Sequence, residues 1–265
     1  MSESNVYQTP TAELRREPSA VEMQLQDPRS RPAGAGWSWI SQSWSVFMRQ
    51  PGLWVGMVLV YLVIAIVLSM IPLVSILLSL IAPVFTAGFM LAAYNTDEGG
   101  NAQFGDMFGG FKQKTGTLIM VGLLQFVLSI VVLLIVGGIL FAILGMEGVT
   151  QLAEASAGNP ENVPDVIIPF MLAGLLYMAL IIPIVMMVWF SPVLIIRHDL
   201  GAWEAMMTSL KGCLRNILPF LIYGIVLIPL SIIAAIPVLL GFLLLIPVIT
   251  ISIYVGYKDI YLKSA

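Results

Sequence analysis

Charge is scarce in this chain of 265 residues, and it is absent where it would cost most. Asp, Glu, Lys and Arg make up 10% of the sequence, against about 25% in soluble domains. None falls at the centre of the long apolar runs described below. A single cysteine, Cys213, excludes an intrachain disulfide and any metal site built from clustered thiolates. The single histidine, His198, stands beside Asp199 with neither a nucleophile nor metal-ligand spacing around it. The glycine pairs beginning at Gly99, Gly109 and Gly137 are isolated and do not form a phosphate-binding loop between a strand and a helix. No basic patch suits nucleic acid. The first thirty residues contain neither an apolar core segment nor a small-residue cleavage site, which predicts that no signal peptide is removed and that the first span directs insertion. These absences leave no catalytic residue, metal ligand or cofactor site to name, and the expectation is a protein that is not an enzyme.

What the sequence does have is apolar surface. Hydrophobic residues make up 59% of it and the mean hydropathy is +0.97, which places the chain in a bilayer. Six runs reach the 20 or so residues needed to cross about 30 Å of hydrocarbon, at 52–71, 73–94, 117–144, 166–196, 216–236 and 238–257. "IPL" at Ile71 to Leu73 separates the first two, and "IPV" at Ile236 to Val238 the last two. Proline lacks an N–H and clashes with the preceding turn, so both sites predict tight helical hairpins. The fold class expected is an all-α integral membrane protein of six transmembrane helices in three hairpins.

With six spans, the segments on one side carry all twelve Lys and Arg residues. The other side has Met146 to Val166, whose only charges are Glu147, Glu154, Glu161 and Asp165. The positive-inside rule then predicts a multi-pass protein of the bacterial inner membrane with both termini in the cytoplasm. Residues 1–35 mix Glu, Arg, Pro, Ser and Gln and are expected to be a disordered cytoplasmic tail. Residues 36–262 form the transmembrane domain.

Four of the six tryptophans lie between Gly36 and Trp54. There Trp37, Ile40, Trp44, Phe47 and Met48 recur at spacings of three and four, opposite Ser38, Ser41, Gln42 and Ser45, which predicts a helix lying in the cytoplasmic interface. Indole rings favour the headgroup level, and Arg49 follows where it could meet anionic lipid. The pattern recurs before the fifth span, where Trp203, Met206, Leu210 and Cys213 or Leu214 precede Lys211 and Arg215 at the boundary. Before the third span, Phe104, Met107, Phe108 and Phe111 come ahead of Lys112 and Lys114. The second spans of the three pairs also share short pieces, "LIAPV" at Leu80, "LIIPI" at Leu180 and "LLIPV" at Leu244. Together these predict a threefold internal repeat of surface helix plus hairpin. Every copy starts from the same side, so the repeats are parallel and related by an axis along the membrane normal.

Gly36, Trp37, Trp39, Trp44, Phe47, Arg49, Pro51 and Trp54, with Ser191-Pro192, the stretch "SLKGCLRNILPFLIYG" from Ser209 and the closing "YKDI" from Tyr257, carry a family resemblance. Over residues 36 to 262 the chain resembles a widespread group of uncharacterised six-span inner-membrane proteins of proteobacteria. It is more distantly similar to the membrane domain fused to some glycerophosphodiester phosphodiesterases, whose enzymatic domain has no counterpart here. The tail's "NVYQTPTAEL" resembles the Asn-x-Tyr-x-x-Pro tails of several bacterial membrane proteins, with Asn5, Tyr7 and Pro10 as the matching residues. Such a motif could dock on a cytosolic or membrane partner.

Inside the spans Gln125 is the most polar side chain at depth, with Ser129, Tyr177, Tyr223, Ser231 and Thr250 scattered around it. Such groups are mostly hydrogen-bonding contacts between helices. Pro83, Pro169, Pro183, Pro192, Pro219, Pro229 and Pro247 are expected to kink the spans. The functional expectation is a membrane protein that organises or assists partners or lipids. The alternative is a transporter or channel for a small neutral or lipid-like solute passing between the repeats.

Overall fold

The computed structural model describes residues 24–98, 100–156 and 163–262. Its order is α1 (Ala35–Phe47), α2 (Pro51–Ser69), α3 (Pro72–Asp97), a 3-10 turn (Phe104–Phe108), α4 (Gly109–Lys112), α5 (Thr115–Ser156), α6 (Val163–Trp189), α7 (Ser191–His198), α8 (Ala202–Arg215), α9 (Ile217–Ala235) and α10 (Phe242–Tyr261). Six helical stretches among these residues are long and apolar enough to cross a membrane. The protein is an all-α integral membrane protein.

The middle pair departs most from the expected boundaries. Helix α5 runs for 42 residues and bends at Gly145, whose φ of 64° and ψ of −169° suit a residue without a Cβ. The stretch from Thr115 to the bend already spans roughly 45 Å at 1.5 Å per residue, enough for a bilayer with its headgroups. The helix therefore continues beyond it into the acidic stretch read as an outer loop. The expected fourth span is broken at Phe190. Pro192 lies in the first turn of α7, where its missing N–H costs nothing, and so starts a helix instead of kinking one. Pro83, Pro169, Pro183, Pro229 and Pro247 do lie inside helices. The last hairpin has a wider tip than expected: α10 starts only at Phe242, after Val238 and Leu239 pass through left-handed backbone.

Packing follows a threefold plan. In α3, α6–α7 and α10, 50, 44 and 56% of the span is buried, against 17, 11 and 17% in α2, α5 and α9. The second helix of each pair is thus an inner helix, the first an outer one. Pro83, Pro183 and Pro247 fall on the three inner helices. The surface elements pack in a ring: the 3-10 turn and α4 on α3, α8 on α6 and α7, and α1 on α10 and α9. Each surface element therefore sits on the inner helix of the preceding pair, and α1 closes the ring onto the last.

A matching polar contact marks each joint. Gln50, at the start of α2, accepts the Ala102 N–H at 3.1 Å, and Asn216, at the start of α9, accepts the Arg31 N–H at 2.8 Å. Lys114, at the start of α5, pairs with Asp199.

Part of the stretch expected to be disordered is among the described residues and is held in place. Residues 24–34, within the tail expected to be disordered, form a non-helical strap that turns into α1 at its end. Four carbonyls end any helix without an internal partner, and the strap supplies donors to those of α10. Gln26 and Arg29 donate backbone N–H groups to Tyr261 O and Ile260 O, both at 3.0 Å. The Arg29 guanidinium reaches Asp259 O and Leu262 O. Asn216 and Arg215 hold the strap from the other side, donating to Arg29 O and Pro28 O. Polar composition conceals this order because polar contacts produce it. Asn5, Tyr7 and Pro10 lie outside the described residues.

Candidate functional site

The three inner helices converge at the end of the molecule that carries the basic residues, and the buried polar side chains gather there. Between α10 and α3, the Lys258 ammonium lies 2.5 Å from Asp97 Oδ2 and 3.3 Å from Glu98 Oε1. Tyr254 donates its O–H to the same Asp97 oxygen at 3.3 Å. Between α7 and α10, His198 Nε2 and Tyr257 Oη are 2.5 Å apart. Between α7 and α3, the Arg197 guanidinium lies over the Tyr94 ring, 3.8 Å from its centroid, a cation–π contact. These contacts tie each inner helix to the other two.

Aromatic packing fills the space beside this triangle. Tyr254, Tyr257 and Tyr261 are fully buried along α10, with successive ring centroids 6.4 and 6.0 Å apart. Phe190 meets Tyr261 edge-on at 5.5 Å. Trp39, buried on α1, donates its indole N–H to Asp259 Oδ2 at 2.9 Å, and Arg31 of the strap pairs with the same carboxylate. Asp259 thus joins α10, α1 and the strap.

The residues expected at the membrane interface divide between two faces. Trp37 and Trp44 are about half exposed on α1. Phe47, expected beside them, is buried, and this corrects the sequence reading. The buried face runs through Gly36, Trp39, Ile40, Ser43, Val46 and Phe47. Ser43 is tolerated there because its hydroxyl donates to Trp39 O at 2.5 Å. The same split occurs on α8, where Trp203, Lys211 and Arg215 are exposed while Met206 and Cys213 are buried. Phe108 is half-buried against Phe85, whereas Phe111 and Lys112 are exposed. Arg49, read as a lipid contact, caps α3: its guanidinium donates to Thr96 O at 3.0 Å and Asp97 O at 2.7 Å. Gln125 is half-buried on α5, away from the converging helix ends.

Asp97 and Tyr254 are not singled out by the sequence, and Trp39, Asn216 and Lys258 enter only within the stretches that carry the family resemblance. A signal existed, since Asp97-Glu98 and Lys258-Asp259 are charge pairs at the ends of two spans on the same side.

Chemically the site is built from contacts between helix ends. His198 ends α7, and its neighbour Asp199 pairs with Lys114. Among the described residues no three of His, Cys, Asp and Glu come together as a metal site requires. Burial pushes the Cys213 thiol up to about 12, against the opposing hydrogen bond from Ser209, and Sγ lies 3.6 Å from Met186 O. Since the thiolate is the nucleophile, Cys213 is expected to resist maleimide at neutral pH in native membranes and to label fully once the protein is denatured in SDS. Rapid labelling of the native protein would show that α8 does not seat on α6 as described.

Six apolar spans with their polar contacts collected at one end define a polytopic membrane protein. Comparison with known proteins gives the family. A probable inner membrane protein of Burkholderia thailandensis is 30% identical over 202 residues, covering 73% of this chain and 72% of the relative. The chain belongs to the family of that inner membrane protein. No family model matches the sequence, and no solved structure does. The more distant likeness to the phosphodiesterase membrane domain gains no support from these comparisons.

Proposed function

We propose that this protein is a non-catalytic organiser in the inner membrane. Its six helices anchor a rigid platform facing the cytoplasm, both termini lie on that side, and the tail recruits a cytosolic or membrane protein partner. The observation that carries the reading is where the polar contacts lie. The ion pairs Arg31–Asp259, Arg49–Asp97, Lys114–Asp199 and Lys258–Asp97 lie at the basic end, and with the contacts His198–Tyr257, Arg197–Tyr94 and Arg215–Pro28 they tie the inner helices, the surface elements and the strap together there. The positive-inside rule turns that end toward the cytoplasm.

The alternative, passage of a small neutral or lipid-like solute along the axis, requires α3, α7 and α10 to part where Tyr254, Tyr257, Tyr261 and Phe190 are packed. That packing favours the platform.

Because the strap is part of the fold, the test removes only residues 2–23. The full chain and the truncated chain, each tagged at the C-terminus, are cross-linked in native membranes and their partners compared. The truncation is expected to lose at least one protein that the full chain retains, with its own expression and thermal stability unchanged. Identical partner sets would sink the role given to the tail.

A further inference from the structure

The outward side of the third hairpin holds an apolar groove that belongs neither to the converging helix ends nor to the tail. Helices α9 and α10 touch at two levels. At the tip, a Cβ added to Gly241 would lie 2.5 Å from the Ala234 Cα, so the two chains meet without side chains between them. Nearer the basic end, Tyr223 Oη and Ser252 Oγ are 2.6 Å apart. Beside these contacts α1, α9 and α10 together line a cavity of about 510 Å³. Trp37 and Trp44 of α1 close it from the interface side, and Leu230, Ile233, Leu244 and Val248 form its walls. Ile233 and Leu244 remain substantially exposed, so the cavity opens sideways into the bilayer.

We infer that this groove is a binding site for one acyl chain of a membrane phospholipid. Its chemistry rejects polar occupants: no charged residue lines it, and the Ser41 hydroxyl already donates to Ser38 O at 3.1 Å. The groove is too small to enclose a spanning helix. A spanning helix about 30 Å long and 10 Å across occupies roughly 2,400 Å³, about five times the space here, whereas a cavity within the usual ligand range of about 300 to 1,000 Å³ suits a small apolar group. A free fatty acid would bring a carboxylate to a lining without a cation. A phospholipid keeps its headgroup outside, at the level that tryptophan rings prefer. Leaving the bilayer gains no hydrophobic free energy, because lipid tails are as apolar as leucine. The chain is retained by close contact with the walls and the two indoles. The inference stands apart from the proposed platform role, since neither the tail nor the inner-helix contacts enter it.

The test uses the full chain reconstituted in phosphatidylethanolamine and phosphatidylglycerol vesicles, extracted in mild detergent and weighed by native mass spectrometry. The unmodified protein is expected to keep one phospholipid. Ile233→Trp, which fills the groove from an exposed position, is expected to lower that occupancy by about tenfold or more, equivalent to about 1.4 kcal/mol. Leu230→Trp is expected to do the same. Ile135→Trp, on the exposed side of α5, is expected to leave it unchanged. Unmodified protein without phospholipid, a bound mass of fatty acid or protein, or equal occupancy in the groove variants and the α5 variant would each overturn the assignment.

Discussion

Gly36→Val is expected to destabilise the protein by about 3 kcal/mol, the upper end of the usual cost of overpacking. A Cβ at Gly36 would lie 2.2 Å from Pro219 O and 2.7 Å from Tyr223 N. Both are backbone atoms of α9, so no rotamer change relieves the clash and α1 has to move off the helix. Small residues that let backbones approach are the common device of membrane helix packing, and the contact recurs three times at α3. An added Cβ would meet Met107 O at 2.0 Å from Gly88, Val84 O at 2.1 Å from Gly110, and Leu80 O at 2.3 Å from Gly122. Gly137→Ala supplies the control. Nothing lies within 4 Å of that position, and alanine is the better helix former by up to about 1 kcal/mol, so a neutral or slightly stabilising result is expected. Thermal unfolding of the purified variants measures both. Gly36→Val with wild-type stability would mean that α1 does not close the ring onto α9 and α10.

That ring also shows how far the sequence could be read. Hydrocarbon demands apolar side chains and internally satisfied backbones at every spanning residue, whatever that residue packs against. The six spans, the hairpins and the side holding the basic residues were therefore legible. So were the matching positions of Pro83, Pro183 and Pro247. What a bilayer hides is the difference between facing lipid and facing protein, since both select apolar groups. Trp44 and Phe47 look alike as sequence, yet one is half exposed and the other is core. The order of the strap was hidden for the opposite reason. Its partners are the terminal carbonyls of α10 and the side chain of Asn216, and composition does not record backbone acceptors. The same blindness assigned Arg49 to lipid when its first partners are carbonyls of α3.

The charged contact between α3 and α10 gives a second large effect, with a definite order among its variants. Asp97 is the last residue of α3, where the helix dipole disfavours a carboxylate, and its side chain is held there by two hydrogen-bond donors and one more distant cation. Lys258 and Tyr254 reach Oδ2, and the Arg49 guanidinium lies 3.8 Å from Oδ1. Asp97→Ala leaves the O–H of a fully buried tyrosine without its acceptor, which costs about 1 to 3 kcal/mol. Water compensates part of what Lys258 and Arg49 lose, because 38 and 48% of their side chains are exposed. Removing the carboxylate also returns a few tenths of a kcal/mol of dipole repulsion. The net expectation is a loss of about 2 kcal/mol. Lys258→Met keeps the apolar stem, and Asp97 retains Tyr254 and Arg49, so its cost is expected to be nearer 1 kcal/mol. Asp97→Asn keeps an acceptor for Tyr254 and is expected to recover part of the alanine loss. In the double variant the two losses should fall short of additive by about 1 kcal/mol, as for residues in direct contact. Equilibrium unfolding in mixed micelles of SDS and mild detergent reads all four variants. A lysine variant weaker than the alanine variant, or an asparagine no better than alanine, would show that the ion pair alone, without the Tyr254 hydrogen bond, joins α3 to α10.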